Sequence, residues 1–487
     1  MPYLNDDIVD LRRDDGEVRQ FYWGDEVLIL GEEGGRKRVQ ILGRNGPVDS
    51  GLISGKATFR EKGLLRLSMV DVQQGDGLIL DTPEGKVIFI DGGDNQLFAR
   101  HAAARYRGTT VTNPLVLDAV VVTHGDADHF AGLSELRASE AHNEARKRIF
   151  CTTRRVLHNG LAKRPSKING RARPDTEMFG RVQTVGGRPY AVELVDDPSA
   201  LADQDLNKPF REWKRTLNAW RERLRQLDGS NMIVRRIDQA AGDAFDFLRH
   251  EGIEVELLGP IVEDVQGYPG LAFLADPPDD VSLMLGTQSS PGNGPWSASH
   301  TINGHSISFR LQFGNVRMLM TGDMNEESMR RMHHAIPGLK LEAEILKTPH
   351  HGSADFSLPF LQSVAPVVSL ISSGDESAGK EYIHPRATLM AALGKASRTM
   401  PAVIFCTELA AFFAVKGYVT DRQGKRFFAF ERTNFGISHI RTDGERVLAF
   451  THSGKARANE AYRFDVSTDG EVTFAPKVTK RSAPKLS

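Results

Sequence analysis

Cysteine is nearly absent: there are two in 487 residues, Cys151 and Cys406, far apart and in no Cys-x-x-Cys pair. That excludes a disulfide framework, and a reduced, cytoplasmic setting is expected. Long apolar runs are missing as well, so no segment reaches the length that crosses a bilayer. The polar, acidic start MPYLNDDIVDLRRDD has no apolar h-region. An unanchored chain with no membrane partner is expected. Neither sign of charge is in excess: 62 Lys and Arg against 63 Asp and Glu leave a formal net charge of -1. Any affinity for nucleic acid must therefore come from local clustering. What remains is ordinary for a globular protein, with 40% hydrophobic and 26% charged residues. Length alone suggests roughly two to four units.

Residues 1–60 read as a small β unit. Val27-Leu28-Ile29-Leu30 is a short apolar run, a Glu-Glu-Gly-Gly turn follows, Arg38 to Ile41 alternates, and Asn45-Gly46 marks another turn. Strands this short suggest an SH3-like barrel, suited to binding a protein partner or docking on the main domain. The main domain spans 61–398. Leu64 to Val70, Gly77 to Leu80, Val87 to Ile90 and Leu117 to Thr123 are strand-like, several of them apolar on both parities, so both faces should be covered. An insert over about 145–255 begins with a basic stretch at 145–183. In that stretch Arg146, Lys147, Arg148, Arg154, Arg155, Lys163, Arg164, Lys167, Arg171, Arg173 and Arg181 face only Asp175 and Glu177. A helix from about Lys208 to Leu227 carries Trp213 and Trp220. Residues 276–300 look like a loop. Strand patterning returns from Ser306 to Met320, and a helix is expected at 325–335. Residues 399–487 form a β-rich C-terminal region, with hairpins around Phe427 to Phe430, Asp443-Gly444 and Asp469-Gly470. Its basic tail, from Ala475, is expected to be disordered.

The chemistry concentrates in Val121-Val122-Thr123-His124-Gly125-Asp126-Ala127-Asp128-His129. His124 and Asp126 are two apart, so an extended backbone points both the same way. Asp128 and His129 open the next helix, and Gly125 gives the chain room to turn. One loop can thus present two pairs of ligands to two neighbouring ions. A polar surface loop with helix N-caps is the plainer alternative. It does not explain four ligand-type residues in six positions after an apolar strand. More ligands are available downstream: Asp323 in Thr321-Gly322-Asp323, His350 and His351 in Pro349-His350-His351-Gly352-Ser353, and His305 in Asn303-Gly304-His305-Ser306.

The combination of DxxQGD (Asp71 to Asp76), IDGG (Ile90 to Gly93), HxDxDH, TGD and PHHGS resembles the metallo-β-lactamase domain of the ComEC competence proteins. Tyr382-Ile383-His384-Pro385 is similar to that group's terminal His-Pro motif. The resemblance covers roughly 64–395 apart from the insert. It implies an α/β fold, the αββα metallo-β-lactamase sandwich with metals at one edge, here flanked by the SH3-like unit and the β-rich extension. It further implies that His124 and Asp126 hold one metal, Asp128 and His129 a second, that Asp323 bridges, and that His350 or His351 completes the set. His350, the earlier of the pair, is our choice. His305 lies where many superfamily members place a ligand and where ComEC domains more often have Asn. It is a candidate ligand with a structural role as the alternative. ComEC's membrane channel is missing, so a DNA-uptake pore is excluded.

Two divalent ions, Zn or Mn, would lower the pKa of a shared water and clamp the group attacked. Asp126, a harder ligand than His, leans the site toward Mn or a similar ion. Asp128 would bind metal and orient the hydroxide, and Asp91 would orient a ligand from behind. His384 would donate a proton to the leaving group or clamp a phosphate, with a structural His before Pro385 as the alternative. The basic insert could track the phosphates of DNA or RNA, and Trp213 and Trp220, two helical turns apart, could stack bases or pack the helix onto its domain. The leading expectation is a metal-dependent phosphodiesterase or nuclease. The alternatives are a hydrolase of small lactones, thioesters or β-lactams, and a non-enzymatic adaptor with a structural metal site.

Overall fold

The computed structural model describes residues 1–277, 294–374, 384–420, 424, 426–452 and 459–484. Most of the expected loop at 276–300, together with Tyr382, Ile383 and the side chains of Phe427 to Phe430, lies outside the described residues.

Apolar runs buried on both parities become central strands whose alternate side chains serve two different cores. The first large sheet is built from β1 (Leu65–Met69), β2 (Gly77–Asp81), β3 (Val87–Asp91), β4 (Ala119–Val122), β5 (Arg155–His158) and β6 (Ile233–Arg236). The second contains β7 (Ile253–Gly259), β8 (Ser308–Phe313), β9 (Val316–Met320), β10 (Ile345–Lys347), β11 (Val368–Ile371) and β12 (Val403–Cys406), in that spatial order. Leu78, Leu80, Ile88, Ile90 and Val121 point inward and meet Met318, Ile345, Val368 and Leu370 of the second sheet in one core. Their neighbours Ile79, Phe89 and Val120 point outward, under α1 (Leu97–Arg105), α2 (Ala127–Ser139) and α3 (Lys208–Asp228). On the far side, Leu319, Leu346 and Ile371 pack beneath α5 (Glu326–Ala335), α6 (Leu358–Val364) and α7 (Ala387–Ala396). A short α4 (Ala298–Gly304) precedes β8. The result is four layers, helix–sheet–sheet–helix, as the resemblance implied.

The structure places the segments that the sequence sets apart, and it decides between the two roles open to the tryptophans. The segment 145–255 is not an appendage: β5 and β6 extend the first sheet in parallel with β4. Trp213 and Trp220 are buried in T-shaped contact at 5.6 Å within the helical layer, so neither is available to stack a base. An amphipathic helix presents its large aromatics to the sheet it covers, and sequence alone could not show which face that was.

Residues from 399 on do not stand apart either. β12 ends the second sheet, while β13 (Ile437–Thr442), β14 (Arg446–His452), β15 (Ala461–Val466) and β16 (Val472–Phe474) continue the first sheet beyond β1. The tail is ordered as far as the described residues reach, and Lys480–Arg481 pairs in parallel with Ile8–Val9. The buried carboxylate of Asp7 organises this join by accepting from Thr479 Oγ1 at 2.8 Å and pairing with Arg446.

The first 60 residues are all β, with strands 18–22, 8–12, 46–54, 36–43 and 27–33 side by side in that order. This unit docks on β13 and β14: Tyr22 stacks on Phe450 at 4.0 Å, and Arg441 donates to the carbonyls of Tyr22 and Trp23. No helix among the described residues is long and apolar enough to cross a membrane.

Candidate metal centre

Strand direction decides where the polar residues gather. β3, β4 and β5 are parallel neighbours, as are β9, β10 and β11, so the turns after their C-terminal ends share one edge of the sandwich. A hydrogen bond from Ile307 N to Thr123 O, 2.8 Å, ties the sheets together there. Asp91 ends β3, His124 follows β4, Asp323 follows β9 and His351 follows β10. Asp91, His350 and His351 take left-handed backbone angles, with φ of 57°, 46° and 50°. Such conformations cost about 1–3 kcal/mol each in non-glycine residues and cluster where function fixes the geometry. Gly75 is required for a different reason: a β-carbon there would lie 1.6 Å from the carbonyl oxygen of Asp128, so the DxxQGD turn presses directly on the metal-motif loop.

Three ligand atoms converge. His129 Nε2 lies 3.1 Å from Asp323 Oδ2 and 3.2 Å from His351 Nε2, and His351 Nε2 lies 3.0 Å from Asp323 Oδ2. Ligands of a tetrahedral ion with bonds of about 2.0–2.1 Å are separated by about 3.3 Å, so this triangle fits one divalent cation. Asp128 Oδ2, 3.7 Å from His351 Nε2, borders the same point.

Each imidazole has a carboxylate behind it. His129 Nδ1 donates to Asp91 Oδ2 at 2.8 Å, and Asp91 is itself held by the amide and hydroxyl of Thr123. His351 Nδ1 lies 3.3 Å from Asp76 Oδ1, and the other oxygen of Asp76 meets the ammonium of buried Lys347. Asp76 belongs to the buried cluster with His129, Asp323 and His351. Its contacts with His351 Nδ1 and Lys347 nevertheless make it a positioning residue. This pair of carboxylate–histidine contacts fixes the tautomers and aims both Nε2 atoms inward.

A different arrangement surrounds the other half of the motif. His124 is buried with its ring centroid 4.0 Å from that of His129. Its Nδ1 lies 3.2 Å from both Thr123 Oγ1 and Ser306 Oγ, and those hydroxyls give their own protons to Asp91 and to Asn303 O. Nδ1 is therefore the protonated nitrogen, and Nε2 faces outward as an acceptor. The Asn303 carboxamide nitrogen, in the orientation its neighbours require, donates to Asp126 Oδ2 at 3.0 Å and to Ser299 O at 3.1 Å, and it stands 3.3 Å from that Nε2. Lys163 Nζ donates to the other oxygen, Asp126 Oδ1, at 2.5 Å. The residues around His124 and Asp126 thus do not present an open ligand set for a second ion. Electrostatics separates the two histidines. Burial pulls both down, but Asp323 and Asp91 outweigh it at His129 and hold that ring well above its usual value. At His124, burial and the charge of His129 push the ring well below its usual value.

Two ligand choices are corrected. His351, not His350, joins the cluster. His350 lines the cavity instead, its ring 6.2 Å from that of His384. Spacing cannot say which of two adjacent histidines points inward, because the two left-handed residues in the turn decide it. His305 is turned away, and its Nε2 donates to the carbonyl of Ala272 at 2.8 Å. Asp76, Lys163, Asn303 and Lys347 were missed as site residues. A lysine closing the apolar run Ile345-Leu346-Lys347 was the available signal, since lysine is almost never fully buried unless paired. A cavity of about 470 Å³ opens over the cluster, with Gln73, Asp126, Asp128, Asn303, His384 and Arg386 among its lining residues.

Comparison with known proteins fits this geometry. The family model described as the metallo-beta-lactamase superfamily matches residues 71–148. Over 96 residues, 20% of this chain, the sequence is 28% identical to ComE operon protein 3 of Bacillus subtilis (strain 168), and the match spans 12% of that protein's length. A solved protein of Parabacteroides distasonis ATCC 8503, described as a metal-dependent hydrolase, aligns over 78% of this chain and 98% of its own at 9% identity and a TM-score of 0.28. A Thermotoga maritima protein, described as a Zn-dependent hydrolase of the metallo-beta-lactamase superfamily, aligns over 64% of this chain and 77% of its own at 9% identity and a TM-score of 0.20. Neither superposition is close enough to bear on the fold. The match takes in the motif loop at 124–129, at the edge of the four-layer sandwich: over residues 71–148 this chain is similar to the metallo-beta-lactamase superfamily.

Proposed function

We propose that the chain is a metal-dependent hydrolase of phosphodiesters, with DNA or RNA as the substrate class. The observation that carries the reading is the convergence of His129, Asp323 and His351 on one point beneath an open cavity. These three residues, with Asp128 beside them, would hold a divalent ion, Zn or Mn. The ion, when bound, supplies Lewis acidity and an activated water. The protein's own residues do the rest. Asp91 and Asp76 keep the imidazoles aimed, Asp128 would stand beside the bound ion and orient the water, and His384 and Arg386 line the cavity where a phosphate would hydrogen-bond.

Support from surface charge is narrower than the sequence suggests. Arg154 pairs with Asp228, Arg164 with Asp205 and Glu193, and Arg223 with Glu140. The hairpin Lys167–Ile168 and Arg171–Ala172 is exposed, and it supplies the cations that favour a polyanion. The cavity volume, about 470 Å³, also suits a small molecule, so turnover of lactones or thioesters is the second reading.

The test is Mn- or Zn-dependent cleavage of single- and double-stranded DNA and RNA, comparing wild type with Asp323→Ala at two salt concentrations. Cleavage that disappears in the variant and weakens with salt is expected. A metal-loaded protein that cleaves no nucleic acid but hydrolyses small esters independently of salt overturns the nuclease reading.

A further inference from the structure

The superfamily reading and the His-x-Asp pair imply a second ion between His124 and Asp126, and that place is already filled. Asp126 spends one carboxylate oxygen on Lys163 Nζ at 2.5 Å and the other on the Asn303 amide at 3.0 Å. The same amide nitrogen, which also donates to Ser299 O at 3.1 Å, stands 3.3 Å in front of His124 Nε2, the nitrogen that would bind the ion.

The lysine is built in. Its carbonyl accepts from Asn207 N at 3.0 Å, at the residue that caps α3, and Asn207 Oδ1 in turn accepts from Phe210 N. The turn leading to it is tied down where Asn159 Nδ2 donates to His305 O at 3.0 Å. It also presses on the metal motif: a β-carbon on Gly125 would lie 2.9 Å from Leu161 O and 2.7 Å from Phe210 Cζ. The glycine of the motif therefore admits the very segment that brings Lys163 over Asp126. The lysine side chain keeps only 15% of its surface exposed.

We propose that Lys163 and Asn303 replace the second metal ion, so that the chain binds a single divalent cation, at His129, Asp323 and His351. The ammonium contributes one fixed positive charge where a second ion would contribute two, and it cannot be removed by a chelator. This rests on the proposed metal-dependent hydrolase and narrows its cofactor.

The test is ion stoichiometry. The full chain is stripped with chelator and reloaded with Zn²⁺ or, separately, Mn²⁺, and ions per chain are counted by native mass spectrometry and by elemental analysis. Wild type is expected to hold one ion, Lys163→Arg one, and Lys163→Ala two. Asn303→Asp, which exchanges the amide donor for a carboxylate ligand, is expected to gain a second ion even if Lys163→Ala folds poorly. Two tightly held ions in wild type overturn the proposal while leaving the hydrolase reading intact. One ion in both folded variants, Lys163→Ala and Asn303→Asp, overturns it as well. A wild type that loads no ion overturns the hydrolase reading too.

Discussion

His124 and His129 belong to one six-residue motif and their rings lie 4.0 Å apart, yet they occupy opposite electrostatic environments. Three carboxylates stand around His129 and its partner His351: Asp91 behind one ring, Asp76 behind the other and Asp323 between them. His124 has an amide in front of its free nitrogen, and the carboxylate beside it is neutralised by a lysine. A shared motif therefore does not guarantee equal ligand capacity. What decides capacity is the charge delivered by other parts of the chain, here the segment after β5 on one side and the turns after β9 and β10 on the other.

The sharpest way to break this comparison is to remove Asp323. Asp323→Ala is expected to lose its ion, with affinity falling more than ~100-fold, because positioning groups alone carry about 10–100-fold. Ion content and hydrolysis are measured on the same preparation. If the ion stays while Asp323 is gone, the working site is at His124 and the comparison reverses.

Next in size are the carboxylates behind the imidazoles. Asp91→Asn and Asp76→Asn preserve shape and remove charge, and each is expected to weaken ion affinity by about 10–100-fold in a competitive chelator titration. A much larger loss for Asp76→Asn would make that residue a ligand. No loss for either would mean that the imidazoles are held by packing alone.

Much of this was legible in the sequence, and the failures have physical causes. Runs apolar on both parities announced covered central strands, and β2 and β3 are buried throughout. The helix expected at 325–335 is α5, Glu326–Ala335. The apolar strand before the motif located His124, because an imidazole directly after such a strand must sit at the sheet edge. Three-dimensional partners were not legible. Nothing in a linear pattern brings Lys163 to Asp126 across the turn after β5, or identifies Lys480–Arg481 as a strand for Ile8–Val9. Strands beyond 399 looked like a separate region because alternation reports a half-buried strand without saying which sheet it joins.

The smallest expected effect concerns His305, which sequence position made a ligand candidate and the structure turns toward Ala272. If its role is to satisfy that buried carbonyl, His305→Ala leaves the acceptor unpaired. That should lower unfolding free energy by about 1–3 kcal/mol in urea denaturation, while the number of bound ions and their affinity stay at wild-type values. A ligand role makes the opposite prediction, because ion affinity would then drop before stability in the metal-free protein changed. Measuring the melt with and without chelator separates the two: a structural histidine costs the same in both, whereas a ligand costs more when the metal is present.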